Sequence, residues 1–187
     1  FLDQLEPGSA VYNVCQAVRM RGTLDLTALE KTLNEIVRRH EVLRTNFVAS
    51  EGRAMQIIDS ARALPLTVVD LSGWVDGTGE EELRRRLQEE SRRAFDLTTD
   101  GLVRALLIRT SPTEHTFMLT MHHIVSDGWS IGIFFRELAA IYTALCNGES
   151  ASLPELPVQY ADYVLWEREQ MQGPTLEKPL AYWRQQL

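Results

Sequence analysis

Cysteine is nearly missing from this chain. The two present in 187 residues, Cys15 and Cys146, lie far apart and fit no zinc or redox spacing. That excludes a disulfide scaffold, and a reducing, cytosolic compartment suits the pair best. Long apolar runs are missing as well: none approaches the ~18 residues of a membrane span, and nothing resembles a signal peptide. Positive charge is in short supply, with 19 basic against 26 acidic side chains and a net charge of −7. Nucleic acid is therefore disfavoured as the main ligand. Neither an internal repeat nor a low-complexity tract is present. What remains is an ordinary globular composition, long enough for one domain with a real core and too short for two comfortable ones. The first residue is Phe1 rather than methionine, so the chain reads as a piece of something longer.

Local patterns give the expected elements. Residues 12–20 read as a strand closed by the turn Arg21-Gly22. A helix then opens at Asp25 or at Thr27, where Thr27 and Glu30 have capping-box spacing. Its buried face is marked by Leu26, Leu29, Leu33, Ile36 and Val37. Residues 45–48 and 55–58 flank Glu51-Gly52 as a hairpin, and 66–69 form a further short strand. In "EEELRRRLQEESRR" Glu80, Glu81 and Glu82 each precede an arginine by four residues (Arg84, Arg85, Arg86), which predicts a solvated helix buried along Leu83 and Leu87. Residues 102–109 and 116–122 pair as a second hairpin. After it, Ile131, Phe134, Phe135, Leu138, Ile141 and Leu145 mark a long amphipathic helix ending near Asn147-Gly148. Strands mixed with helices, some of the strands antiparallel, predict an α/β sandwich.

The chemistry centres on "MHHIVSDGWS", residues 121–130. Imidazole is the side chain best suited to moving protons near neutrality. Alternation along a strand that persisted to its end would put His123 with Phe117, Leu119 and Met121, and His122 with Met118 and Thr120. Two adjacent histidines would then reach one ligand only if the backbone turned between them. His122, His123 and Asp127 are of metal-ligand type, but no second cluster completes a site, so no metal is expected. Spacing alone leaves a buried pair, catalysis and metal open, in that order. The following residues shift the balance: Ser126 or Asp127 can cap a helix near Trp129, and Gly128 permits close backbone approach or a turn. A histidine at a strand end beside a helix N-terminus is placed where developing negative charge is favoured.

"HHIVSDG" resembles the HHxxxDG motif of the condensation domains of nonribosomal peptide synthetases, and more loosely the chloramphenicol acetyltransferase class. "RHEVLRTNF" (39–47), "FDLTTDGLVRALLIR" (95–109) and "YADYVLW" (160–166) resemble further family segments in the right order, and "FLDQLEPGS" the tail of the first motif. The resemblance implies a chloramphenicol acetyltransferase-like two-layer sandwich with a mostly antiparallel or mixed sheet. It further implies that residues 1–187 are the N-terminal lobe of a two-lobed domain, with the lobe-crossing region starting at about 157 and the second lobe absent.

By the same resemblance, the reaction joins a donor acyl or peptidyl thioester to the amine of an acceptor aminoacyl thioester. Both ride on phosphopantetheine arms of peptidyl carrier proteins, with no cofactor bound directly. The implied partners are donor and acceptor carrier proteins, the second lobe and neighbouring synthetase domains, in the cytoplasm and without nucleic acid or membrane. The catalytic role, as base or positioning group, falls to His123. His122, Asp127, Gly128 and Arg44 are supporting residues, Asp127 either pairing with Arg44 or capping the helix. Arg39 and His40 end a helix where cations are favoured in any case, and Trp129, Tyr160, Asp162 and Trp166 read as packing residues. An epimerisation domain and a non-catalytic recruitment module are the rivals. A cyclisation domain is disfavoured because it replaces the histidine pair with aspartates. The isolated lobe is expected to fold without forming a peptide bond.

Overall fold

The two largely buried strands within residues 103–122 become the middle of the sheet. A computed structural model describes residues 2–60, 63–74, 78–150 and 153–187. In chain order these form α1 (Leu2–Leu5), β1 (Asn13–Arg21), α2 (Leu26–Arg39), a 3₁₀ turn (Glu41–Arg44), β2 (Thr45–Ser50) and β3 (Arg53–Ile58). There follow β4 (Leu66–Asp70), α3 (Thr78–Arg92), β5 (Val103–Ser111), β6 (Glu114–His122), α4 (Gly128–Cys146), α5 (Tyr160–Gln170) and α6 (Pro174–Gln186). The main sheet has the order β1-β6-β5-β4, and β2-β3 is a separate hairpin. β1 and β5 both run antiparallel to β6, whereas β4 runs parallel to β5. A parallel pair needs a crossover, and α3 supplies it.

Both faces of β5 and β6 are covered, which explains their nearly continuous apolar sequence. On one face Val103, Ala105, Leu107, Phe117, Leu119 and Met121 share a core with Leu29, Leu33 and Ile36 of α2 and Phe134, Leu138 and Ile141 of α4. Leu29 and Leu33 are fully buried, and truncating either to alanine should cost about 2–5 kcal/mol. On the other face Leu106, Ile108 and Met118 join Leu71 beneath Leu83 and Leu87 of α3. The expected α/β sandwich forms, with α3 added as a cover on its second face.

Of the two possible caps of α2, Asp25 is the one used: its carboxylate accepts the Ala28 N–H at 2.9 Å, and Thr27 lies inside the helix. Glu51 and Gly52 both take positive φ, 50° and 73°, the conformation a two-residue hairpin turn needs. On α3 the Glu80–Arg84 and Glu82–Arg86 pairs form at 2.6 and 2.7 Å. The expected Glu81–Arg85 pair is replaced: Arg85 reaches Glu82 at 2.5 Å and also Glu89. Glu82 lies one turn back at i−3 and is the less exposed carboxylate, so one side chain serves two arginines.

α4 corrects the reading of apolar runs, because by length and composition alone it is long and apolar enough to cross a membrane. It is a core helix of the fold. Phe134, Leu138 and Ile141 are buried in the main core, and its mid-helix Glu137 is ion-paired to α2.

Two compact units divide the chain, Phe1–Pro154 and Glu155–Leu187. In the second, the Asp162 carboxylate accepts the Gln159 N–H at 2.8 Å and so starts α5. Tyr160, Tyr163 and Trp166 stack in sequence along α5, centroids 5.9 and 5.8 Å apart. Tyr160 and Trp166 are about half exposed, so their packing is with one another rather than within a core.

Candidate functional site

β6 stops at His122, and the backbone turns between the two histidines. The strict alternation expected of a longer strand therefore does not reach His123. The His122 N–H donates to the Leu102 carbonyl at 3.1 Å and its own carbonyl accepts the Val125 N–H at 3.0 Å. The Ser126 hydroxyl adds a bond to that same carbonyl at 3.2 Å. The His123 N–H is tied to the Tyr12 carbonyl at 2.8 Å.

The two imidazoles consequently differ. His122 is 5% exposed and lies between the Tyr12 and Phe95 rings, at 5.9 and 6.2 Å. Its Nδ1 accepts the Ile124 N–H at 3.1 Å, which puts the proton of the neutral ring on Nε2. Burial pushes its pKa below the ordinary histidine value; Asp3 opposes this and the neighbouring His123 adds to it. His122 is thus a neutral brace inside the turn. His123 is exposed, on the solvent side of the same turn.

Asp127 is the N-cap of α4. Its carboxylate accepts the Ser130 N–H at 2.8 Å, and its own N–H donates to the Ser130 hydroxyl at 2.8 Å. The Ser130 hydroxyl and then its N–H hold the Asp127 carboxyl below the usual range. Between the two readings of Asp127 the structure chooses the cap. Arg44 is engaged elsewhere, with Glu41 at 3.0 Å and the Asp59 carbonyl, and no ion pair joins it to Asp127 among the described residues. Gly128 does not adopt positive φ, and a Cβ built on it would meet nothing within 4 Å. No turn geometry requires glycine there; what it leaves is open space at the first turn of α4. Trp129 is 81% exposed, not the packed anchor expected. Among the described residues no group of three His, Cys, Asp or Glu side chains is arranged to hold a metal ion.

The "RH" of the second motif is more than a favourable helix end. Arg39 is 5% exposed and its Nε lies 3.4 Å from Oε2 of Glu137, itself buried on α4. The His40 Nε2 meets that same oxygen at 2.8 Å, and Arg39 also donates to the Pro154 carbonyl at 2.9 Å.

The whole of this arrangement, residues 1–187, matches the model of the condensation domain family. The chain belongs to that family. A linear gramicidin synthase of Brevibacillus parabrevis is 46% identical over all of this chain, which spans 2% of that protein. Among solved structures, the first condensation domain of the calcium-dependent antibiotic synthetase, in complex with a substrate analogue, is 28% identical with a TM-score of 0.81. It aligns with 97% of this chain and 43% of its own. The X-domain from teicoplanin biosynthesis, in complex with OxyB, is 34% identical with a TM-score of 0.85, covering 96% of this chain and 39% of that one. The chain therefore spans well under half the length of these structural relatives.

Within this condensation-domain sequence, Glu137 was the functional candidate that local reading passed over. It sits among apolar residues of an amphipathic helix, and the anomaly of an acidic side chain on the buried face was the available signal.

Proposed function

We propose that residues 1–187 are the N-terminal lobe of a condensation domain in a longer, cytoplasmic nonribosomal peptide synthetase, with the lobe-crossing region starting near 157. The lobe would work on donor and acceptor substrates tethered through phosphopantetheine arms to peptidyl carrier proteins. Carrying the proposal is one observation: an exposed His123 imidazole on a turn braced by buried His122, beside the capped start of α4 and the open space at Gly128.

In this reading the acceptor amine attacks the donor thioester carbonyl. A C–N bond forms, the C–S bond breaks, the amine proton passes to His123 Nδ1 or Nε2, and the thiolate leaves on the donor arm. An α-amino group has a reference pKa of ~7.7–8.0 and a thiol one of ~8.5, so one histidine suffices and no general acid is required. A base contributes about 10²–10⁴-fold, and holding both reactants at attack distance is worth up to about 7–11 kcal/mol. Positioning is the larger share, and it needs the tunnel wall that a second lobe would supply. For that reason the 187-residue chain alone should form no peptide bond.

The test is His123→Ala in the parent synthetase, given carrier-bound donor and acceptor, with dipeptide measured by mass spectrometry. Product should fall by about 100-fold or more. Near-normal turnover by a folded variant would overturn the role of His123. A second reading, protein recruitment without chemistry, draws on the similarity to an X-domain solved in complex with OxyB. A wild-type parent inactive with every carrier-bound pair would favour it.

A further inference from the structure

Apolar packing holds α4 against α2 but has no direction, so by itself it does not fix how far the helix slides or rotates. The residues that must be held most accurately lie at the N-terminal end of α4, where Gly128 and Trp129 are exposed. Directional contacts occur deeper in the helix. Glu137 is 9% exposed, and its Oε2 takes both the Arg39 Nε and the His40 Nε2. Arg39 is anchored in turn to the carbonyls of Pro154 and Leu153, at 2.9 and 3.5 Å. This ties α4 to the C-terminus of α2 by bonds that lengthen with any sliding.

The same histidine reaches toward the catalytic turn. A cavity of about 70 Å³ is lined by His40, Ile36, Met121, Val125, Ser130 and Phe134 among others. Val125 belongs to the turn that carries His123, and Ser130 is the hydroxyl partner of Asp127. One wall of the space behind the turn is therefore the ring that grips Glu137.

We propose that Glu137, held by Arg39 and His40, is a positioning residue for condensation: the grip fixes α4 and so sets where the turn presents His123. This rests on the reading of His123 given above. Loss of the His40 bond leaves Glu137 neutralised by Arg39, so the fold survives while the helix gains freedom. A displacement of the order of 1 Å can cost about 100-fold in rate.

The decisive variant is His40→Phe, which keeps a ring in the cavity and removes the bond. In the parent synthetase kcat should fall about 10–100-fold while KM for the carrier-bound acceptor changes less than about 2-fold. His40→Gln, whose amide can donate to Glu137, should recover part of the loss. In the 187-residue chain, ¹H–¹⁵N correlation spectra of the imidazoles should show the His123 signals moving in His40→Phe. Those of His115, at the far end of β6, should stay in place. Unmoved His123 signals, or a KM change with kcat intact, would overturn the proposal. Signals that move in a chain whose wild-type parent is inactive would uphold the positioning and sink the condensation reading instead. Should His40→Phe not fold, Glu137→Gln carries the same two measurements, since Arg39 keeps its carbonyl anchors.

Discussion

Two regions of the molecule pair arginine with glutamate, and the shorter bonds are in the less important one. On α3 Arg84 and Glu80 meet at 2.6 Å with side chains 75% and 70% exposed. Between α2 and α4, Arg39 and Glu137 stand 3.4 Å apart with side chains 4% and 11% exposed. Water and salt screen the first pair, and holding two long side chains in one geometry offsets most of what remains. The second pair has exchanged water for protein, so neither charge can lose its partner cheaply. Distance ranks these contacts one way and burial the other. Burial decides.

The largest expected effect is at Glu137. Glu137→Ala leaves the buried Arg39 charge with carbonyl anchors but without the Glu137 carboxylate and should cost about 3–5 kcal/mol in chemical denaturation. The double variant Arg39→Met with Glu137→Leu should recover most of it, because the pair is then replaced by packing rather than broken. A Glu137→Ala protein as stable as wild type would erase the distinction between the two regions.

A smaller effect comes from acid. Burial holds both His122 and His115 below the ordinary histidine value, so below pH ~6.5 the unfolded chain takes up protons that the folded chain refuses. Stability is whole above that pH and is lost as pH falls through it. Thermal melts at about pH 7.5 and about pH 5.5 should differ by a few degrees. His122→Asn, which keeps an acceptor for the Ile124 N–H, should narrow the gap. The smallest effect belongs to α3: Arg84→Ala and Arg85→Ala should leave the melting temperature unchanged within error. Adding about 1 M salt, where the screening length is ~3 Å, should matter no more than the substitutions do.

Periodic signals were legible and long-range polar ones were not. The apolar spacing from Leu29 to Val37 and from Ile131 to Leu145 marks two helices because burial of one face repeats along the chain itself. Hairpins were readable from Glu51-Gly52 and from the Ser111–Glu114 turn for a similar reason. The pairing of β4 with β5 left no such trace, since each strand looks the same whichever neighbour it takes. Glu137 and His40 are separated by 97 positions, and no local pattern records a contact of that span. The turn of the histidine pair was half legible. The histidine pair and the cap were visible within one short motif, but the split into a buried brace and an exposed imidazole depends on where β6 ends. Trp129 misled because large aromatics are usually covered, and here the described chain does not cover it.

The register of β1 against β6 has a consequence for the order of events during synthesis. Asn13 pairs with His122 and Arg21 with Glu114, so β1 leaves the ribosome roughly a hundred residues before the strand that completes it. At about 5–20 residues per second that is a wait on the order of 5–20 s. Throughout it, the hydrogen-bonding edge of "NVCQAVRMR" has no partner of its own. β5 and β6 can close as a local hairpin within microseconds of being made, and β1 must then find the edge of that hairpin. The bond from His123 to Tyr12 forms only when it does. A nascent chain released before residue 114 would carry an open strand edge and no histidine turn, and would be a substrate for chaperones.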